Sequence, residues 1–219
     1  MNSPLIQLLV LAGIAVFLIL RLKNVLGTRD GFEQPPMANP QPGRRTGPEF
    51  EVIEGGPDLD IVDHVEEDSD AAKALSSMKR LEPSFNVTDF LGGARGAYEM
   101  IVMGYETGEL SEIQPFLAED IYESFVDGVA AREDQGLTIE ATFIGVRELK
   151  LMDATFNDAT NEAELTIRFV AELTSAVRNS EGDIIEGSTS EIKRQKDTWA
   201  FARTMGSDDP NWQLVSTDA

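Results

Sequence analysis

Proton-transfer chemistry in this chain would have to come from carboxylates and phenols. The 219 residues include 39 Asp and Glu, three Tyr, one His and no Cys. Without thiols there are no disulfides, thiolate metal sites or Cys nucleophiles. His64 is the only imidazole, which excludes His-rich metal sites and any Ser–His dyad built elsewhere. It stands in an acidic run with no partner to do chemistry with. What remains is an Asp–Tyr arrangement of the kind that moves protons inside an apolar cavity. The available groups are Tyr98, Tyr105, Tyr122, Asp120, Asp127 and Asp153, and they fall at no diagnostic spacing. No Gly-rich phosphate loop, H-E-x-x-H or nucleophile elbow is present.

The run from Asp58 to Asp70 holds seven carboxylates in thirteen residues. A calcium loop starting at Asp58 would need Gly at its sixth position and Glu at its twelfth. Those positions hold Asp63 and Ser69, so the run reads as a solvated acidic face. The sequence predicts a non-enzymatic protein with no cofactor and no metal. The net charge of −21 disfavours nucleic acid, which needs clustered Lys and Arg, and disfavours anionic lipid except where positive charge is local.

Two kinds of element would position any site here. From Val87 to about Glu106 the apolar spacing is helical: Phe90, Ala94, Ala97, Ile101 and Tyr105 form one face, and Gly108 suits the stop. Ser111-Glu112-Ile113-Gln114 has a capping-box pattern for a short second helix. Ala118–Arg132 predicts a third, ended by Gly136. From Leu137 the period becomes two, with strands expected over 138–146, 148–156 and 162–176. In the last of these Ala163, Leu165, Ile167, Phe169, Ala171 and Leu173 face one way. Glu181-Gly182 marks a hairpin turn. The next strand carries Trp199, Phe201 and Arg203; Asp209-Pro210-Asn211 breaks it, and Trp212 and Leu214 suit a short final strand. Helices followed by antiparallel strands give an α+β domain with helices on one face of a twisted sheet. Its core should bring Phe90, Ala94, Ala97, Ile101 and Tyr105 against Leu165, Ile167 and Phe169. Trp199, Phe201 and Trp212 are candidates to line any apolar pocket left open.

The combination W-x-F-x-R followed by D-P-N-W-x-L resembles the Tim-forty-four-like family, in the form found in bacteria. The resemblance runs from Glu82-Pro83-Ser84-Phe85 through the F-x-x-x-A-x-x-A helix and E-L-S-E-I-Q-P-F-L-A-E-D-I-Y-E-S-F to Thr217. Where the family has aspartate before the proline, this chain has Glu82. The resemblance implies a cone like that of nuclear transport factor two, often with an apolar cavity between helix and sheet. It also implies an adaptor linked to a protein-translocation machine, as in the import motor of the mitochondrial inner membrane. The alternative is a lipid-binding or membrane-organising module whose pocket takes an acyl chain.

The N-terminal part supplies a membrane tether. Leu5 to Leu20 contains one polar residue, Gln7, and no charge. Sixteen helical residues span roughly 24 Å, and snorkelling of Arg21 and Lys23 lets the span extend toward about 30 Å. No basic residue precedes the run and no A-x-A follows it, so an uncleaved anchor is expected rather than a signal peptide. Arg21, Lys23 and Arg29 flank only its C-terminal side, which puts the bulk of the chain in the cytoplasm of a bacterium. The expected organisation is an anchor over 1–27, a disordered Pro-rich and acidic linker over 28–68, and the α+β domain over 69–219. Within the domain, Ala71–Leu81 reads as a helix packed on the core, with a membrane-facing helix as the alternative. Protease added to intact spheroplasts should therefore spare the domain. Digestion of the domain, or a mature N-terminus near residue 27, would overturn this topology.

Overall fold

The computed structural model describes residues 56–217. The expected anchor, its flank Arg21, Lys23 and Arg29, and the Pro-rich stretch lie outside those residues. Among the described residues no helix is long and apolar enough to cross a membrane.

The sheet is an antiparallel meander in the order β1 (Thr138–Asn157), β2 (Glu162–Arg178), β3 (Ile184–Thr204) and β4 (Gln213–Ser216). The alternation in β2 does what its pattern requires. Ala163, Leu165, Ile167, Phe169, Ala171 and Leu173 are all buried on the helix side. Leu165 pairs with Ala154 and Phe201, and Ile167 with Leu151 and Trp199. Trp199 and Phe201 therefore face the helices too. The two strands expected over 138–146 and 148–156 are one strand. Bulges between Phe143 and Gly145, Val146 and Glu148, and Leu151 and Asp153 absorb the slips in alternation. Each bends the strand without ending it.

Among the described residues four α-helices precede the sheet: α1 (Leu59–Val62), α2 (Asp70–Leu81), α3 (Val87–Thr107) and α4 (Glu119–Asp134). The Ser69 hydroxyl caps α2 by accepting from the Ala72 amide, and the stripe Ala71, Leu75 and Met78 is buried in the core. α3 lies across the sheet, with Tyr98 against Phe169 and Trp199 and with Phe90 against Phe201. Its buried face is Val87, Phe90, Leu91, Ala94, Tyr98, Ile101 and Val102. At about 100° per residue the centre of that face is rotated by about 40° from the stripe expected from the sequence. That stripe leaves out the phenol of Tyr98, which lies at the centre. Tyr105 stands beyond the sheet, half-buried against Phe125 of α4 and under the Arg132 guanidinium. Gly128 makes this possible, because a Cβ there would lie 2.6 Å from the Tyr105 hydroxyl. The capping box at 111–114 starts no α-helix. Pro115 would occupy the fourth helical position and removes the amide that makes the first intrahelical bond. Only a 3-10 turn forms, over Gln114–Phe116.

Residues 58–68, expected to belong to the linker, are part of the folded domain. α1 is folded onto the domain, with Ile61 3% exposed. The reason lies 27 residues away. Asp60 accepts from the Val87 amide at 2.8 Å, the Thr88 amide at 3.1 Å and the Thr88 hydroxyl at 3.0 Å, capping α3 from outside. Lys79 of α2 reaches Asp60 at 2.9 Å and Asp58 at 2.7 Å. His64 joins the same junction, its Nε2 3.2 Å from the Thr88 hydroxyl.

Burial alone would raise the Asp60 carboxyl. Lys79, the two amides and the Thr88 hydroxyl outweigh it and hold the group at about 2, against an ordinary 3.8. With the side chain 14% exposed, this depression corresponds to about 2 kcal/mol of stability. It is fully present above pH about 4 and lost as pH falls through about 2. Asp60→Ala should cost about 2 kcal/mol in urea unfolding at neutral pH, and the gap to the parent chain should narrow toward pH 2. A pH-independent gap would mean that the ionised cap is not its source.

Candidate functional site

The C-terminal aromatic signature closes one end of the domain around a buried guanidinium. Trp199, Phe201 and Arg203 project to the same side of β3 at successive steps of two. The first two enter the core, and Arg203 reaches the end of the sheet. Its Nη2 meets Glu82 Oε2 at 2.6 Å, its Nη1 donates to the Pro210 carbonyl at 3.3 Å, and its plane lies 5.3 Å from the Trp212 ring. The Arg203 side chain is 8% exposed; these partners replace water at its two terminal nitrogens, while Nε is buried without a hydrogen-bond partner among the described residues. The Arg203 hydrogen bond lowers the Glu82 carboxyl, burial opposes this, and the Gly206 amide adds to the lowering at 3.0 Å.

Beside this clamp is an apolar groove of about 270 Å³ lined by α3, the 3-10 turn, β3 and the β3–β4 turn. Phe90, Ala94, Ala97, Phe201 and Trp212 line it, as expected from the sequence. Phe90 meets Trp212 edge-on at 4.7 Å, and Phe85 backs the indole at 6.0 Å. The structure does not bring the other expected lining residues here. Leu165, Ile167, Phe169, Ile101 and Trp199 form the closed core, and Tyr105 belongs to the α3–α4 contact. Lining residues that sequence reasoning missed are Asp89, Gly93, Phe116, Pro210 and Asn211. Pro210 and Asn211 read only as a turn, and Phe116 carries no periodic signal. Gly93 was legible as part of a small-residue stretch; a Cβ there would meet nothing within 4 Å.

The groove carries little that titrates. Asp89 is the one ionisable residue among those lining it, and its backbone amide is held by Asn86. The groove offers four aromatic rings to an apolar group and a carboxylate and an amide, Asp89 and Asn211, to a donor at its mouth. The one buried phenol–carboxylate contact lies elsewhere. The Tyr98 hydroxyl donates to Asp197, and the ring stacks on Phe169 at 4.3 Å. Burial first, then the hydrogen bond and charge of Asp197, push the Tyr98 phenol far above its ordinary value. Neither Tyr98 nor Asp197 lines the groove. Tyr122 borders a separate surface depression, and Asp120, Asp127 and Asp153 are not drawn to it.

Removing Arg203 would leave Glu82 without its cation and Trp212 without its stacking partner. Arg203→Ala should cost about 3 kcal/mol, and Arg203→Lys should recover less than half, because an ammonium cannot fork between carboxylate and carbonyl while covering the ring. Urea unfolding decides this; a loss under about 1 kcal/mol for Arg203→Ala would show that the clamp is peripheral.

A family model described as the Tim44-like domain matches residues 71–219. The human mitochondrial import inner membrane translocase subunit TIM44 is 21% identical over 154 residues, covering 69% of this chain and 34% of the human protein. The chain thus spans about a third of that relative's length. The crystal structure of the intermembrane space region of chloroplast protein ARC6 aligns with 54% of this chain and 91% of that chain, at 13% identity and a TM-score of 0.33. The family model covers well over half of the sequence and takes in α2 through β4, and the chain belongs to the Tim44-like domain family.

Proposed function

We propose that this chain is a non-enzymatic adaptor, tethered by Leu5–Leu20 to the inner membrane of a bacterium with its domain in the cytoplasm. It serves protein translocation or membrane-protein assembly, and the aromatic groove holds a short apolar segment of its protein partner. The observation that carries this reading is the groove itself: rings from α3, the 3-10 turn and β3, plus Trp212, surround an open space with no acid–base pair. Family membership and a translocase subunit among the relatives support the assignment to protein transport. A volume of about 270 Å³ is at the small end for ligand pockets. It fits one or two side chains better than a whole acyl chain, which favours a polypeptide over a lipid. The apolar lining keeps lipid capture as the second reading.

A photoreactive amino acid at Gly93, where added atoms enter open space, distinguishes the two in native membranes. The adaptor reading expects polypeptide adducts that Ala97→Trp, by filling the groove, reduces several-fold. Adducts to lipid alone would favour the second reading, and no adduct at all would sink both. Gly93→Ala serves as a folding control and should raise stability by about 0.5–1 kcal/mol.

A further inference from the structure

The face of the sheet turned away from the helices carries a basic patch that is anomalous in so acidic a chain. The sequence has 18 Lys and Arg against 39 Asp and Glu, so every cation could find a carboxylate. Among the described residues Lys150, Lys193 and Lys196 nevertheless have no ion pair or hydrogen bond, and none of the three is buried. Two of them sit on the outer face at its centre. Register places Lys150 beside Arg168 on one row, and Glu148, Val170 and Lys196 across the next. The following row holds Glu172 beside Arg194, with Arg147 reaching it from the bulge in β1. Val170 is 8% exposed without belonging to the helix-side core.

The patch already shows which ligand it prefers. Glu172 Oε2 is 2.6 Å from Arg147 Nε, and its Oε1 is 2.8 Å from Arg194 Nη2, so one carboxylate bridges two arginines across three strands. Arg168 is paired with Glu148. Five cations against two carboxylates leave the surface positive, with Lys150 and Lys196 unoccupied. Three rows and three strands span only about 14 Å by 10 Å. On the same strands Asp153 and Glu164 lie past Arg168, and Glu186 and Glu191 lie past Arg194. These flanks are about a Debye length away, so they repel a planar anionic bilayer or a long nucleic acid. A short acidic peptide segment fits between them.

We propose that the outer sheet face around Lys150 and Lys196 is a docking surface for a short acidic segment of a partner polypeptide. It is separate from the aromatic groove and does not depend on what the groove holds. The partner supplies carboxylates on alternate residues, about 7 Å apart, the spacing of successive rows on this face.

The test uses the full chain in non-ionic detergent and a fluorescent five-residue peptide, Asp-Ser-Asp-Ser-Asp, about as long as the patch, with Asn in place of Asp as its neutral counterpart. The Asp peptide should bind, the Asn peptide should not, and raising salt from about 50 to about 300 mM should weaken binding. Lys150→Glu with Lys196→Glu should weaken it at least tenfold. Lys193→Glu should leave it within twofold, because Lys193 pairs with the inward Leu173 and so lies on the opposite parity. All variants should melt as the parent does, since none of these lysines has a partner to lose. Equal binding of the Asn peptide, no binding of the Asp peptide, or binding that survives the double reversal would overturn the proposal. So would anionic vesicles that compete as well as the peptide. Salt-sensitive self-association abolished by the double reversal would also overturn it, in favour of a second copy of this chain.

Discussion

A guanidinium buried at the end of a sheet must be neutralised there, and much of this domain's form follows from how that is done. Arg203 is 8% exposed and has one carboxylate within reach, Glu82. Glu82 ends α2, so the pair ties the first long helix to the last turn of β3. The same carboxylate accepts from the Gly206 amide, which fixes where the chain leaves the strand. Pro210 then presents its carbonyl to the other side of the guanidinium, and Trp212 covers its plane. The spacing W-x-F-x-R…D-P-N-W is thus the trace of one arrangement. Two steps of a strand put two rings in the core and a cation at the rim, and the turn returns a third ring over that cation.

This clamp also explains why a groove remains. Trp212 is committed to Arg203 on one side and to Phe85 and Phe90 on the other. It cannot drop into the space left by Gly93, Ala94 and Ala97. α3 cannot close that space either, because its N-terminus is held by Asp60 and its middle by Tyr98, which stacks on Phe169 and tilts against Trp199. Small residues on a helix usually permit close approach. Here the two ends of the contact are fixed first, so the small residues leave a gap.

Local patterns were legible in the sequence to the extent that one element's own residues decide them. The alternation of β2, the αL stop at Gly108 (φ 82°) and the hairpin at Gly182 all depend on neighbours in the chain. The burial of Tyr98 was not legible, because a phenol reads as polar until its partner, Asp197, is known to lie across the sheet. The fold of α1 was not legible either. Asp58–Asp70 has the composition of a solvated run, and only the amides of Val87 and Thr88 and the ammonium of Lys79 make Asp60 a structural residue. The break read between two strands at Arg147 was a real signal with the wrong scale, since a bulge and a turn disturb alternation alike. For the groove, Phe90, Ala94, Ala97, Phe201 and Trp212 came from periodicity. Phe116 and Asp89 came only from the fold.

Charge is distributed with the same economy of position. The helical layer carries α1 and the acidic starts of α3 and α4, with Asp89, Glu119 and Asp120 in first turns, where carboxylates favour the helix dipole. Those acids stabilise the helices that bear them. The sheet has no such dipole, so charges on its outer face must be satisfied sideways. Arg147, Glu172 and Arg194 do this across three strands, and Arg168 and Glu148 across two. Lys150 and Lys196 are the residues this lateral scheme leaves over. A folding argument accounts for the paired charges and not for these two, since among the described residues neither Lys150 nor Lys196 has an ion pair or hydrogen bond. An interaction outside the chain is the physical reading that gives both lysines a partner. It places that partner on the opposite side of the sheet from the helix layer that, with β3 and β4, frames the groove.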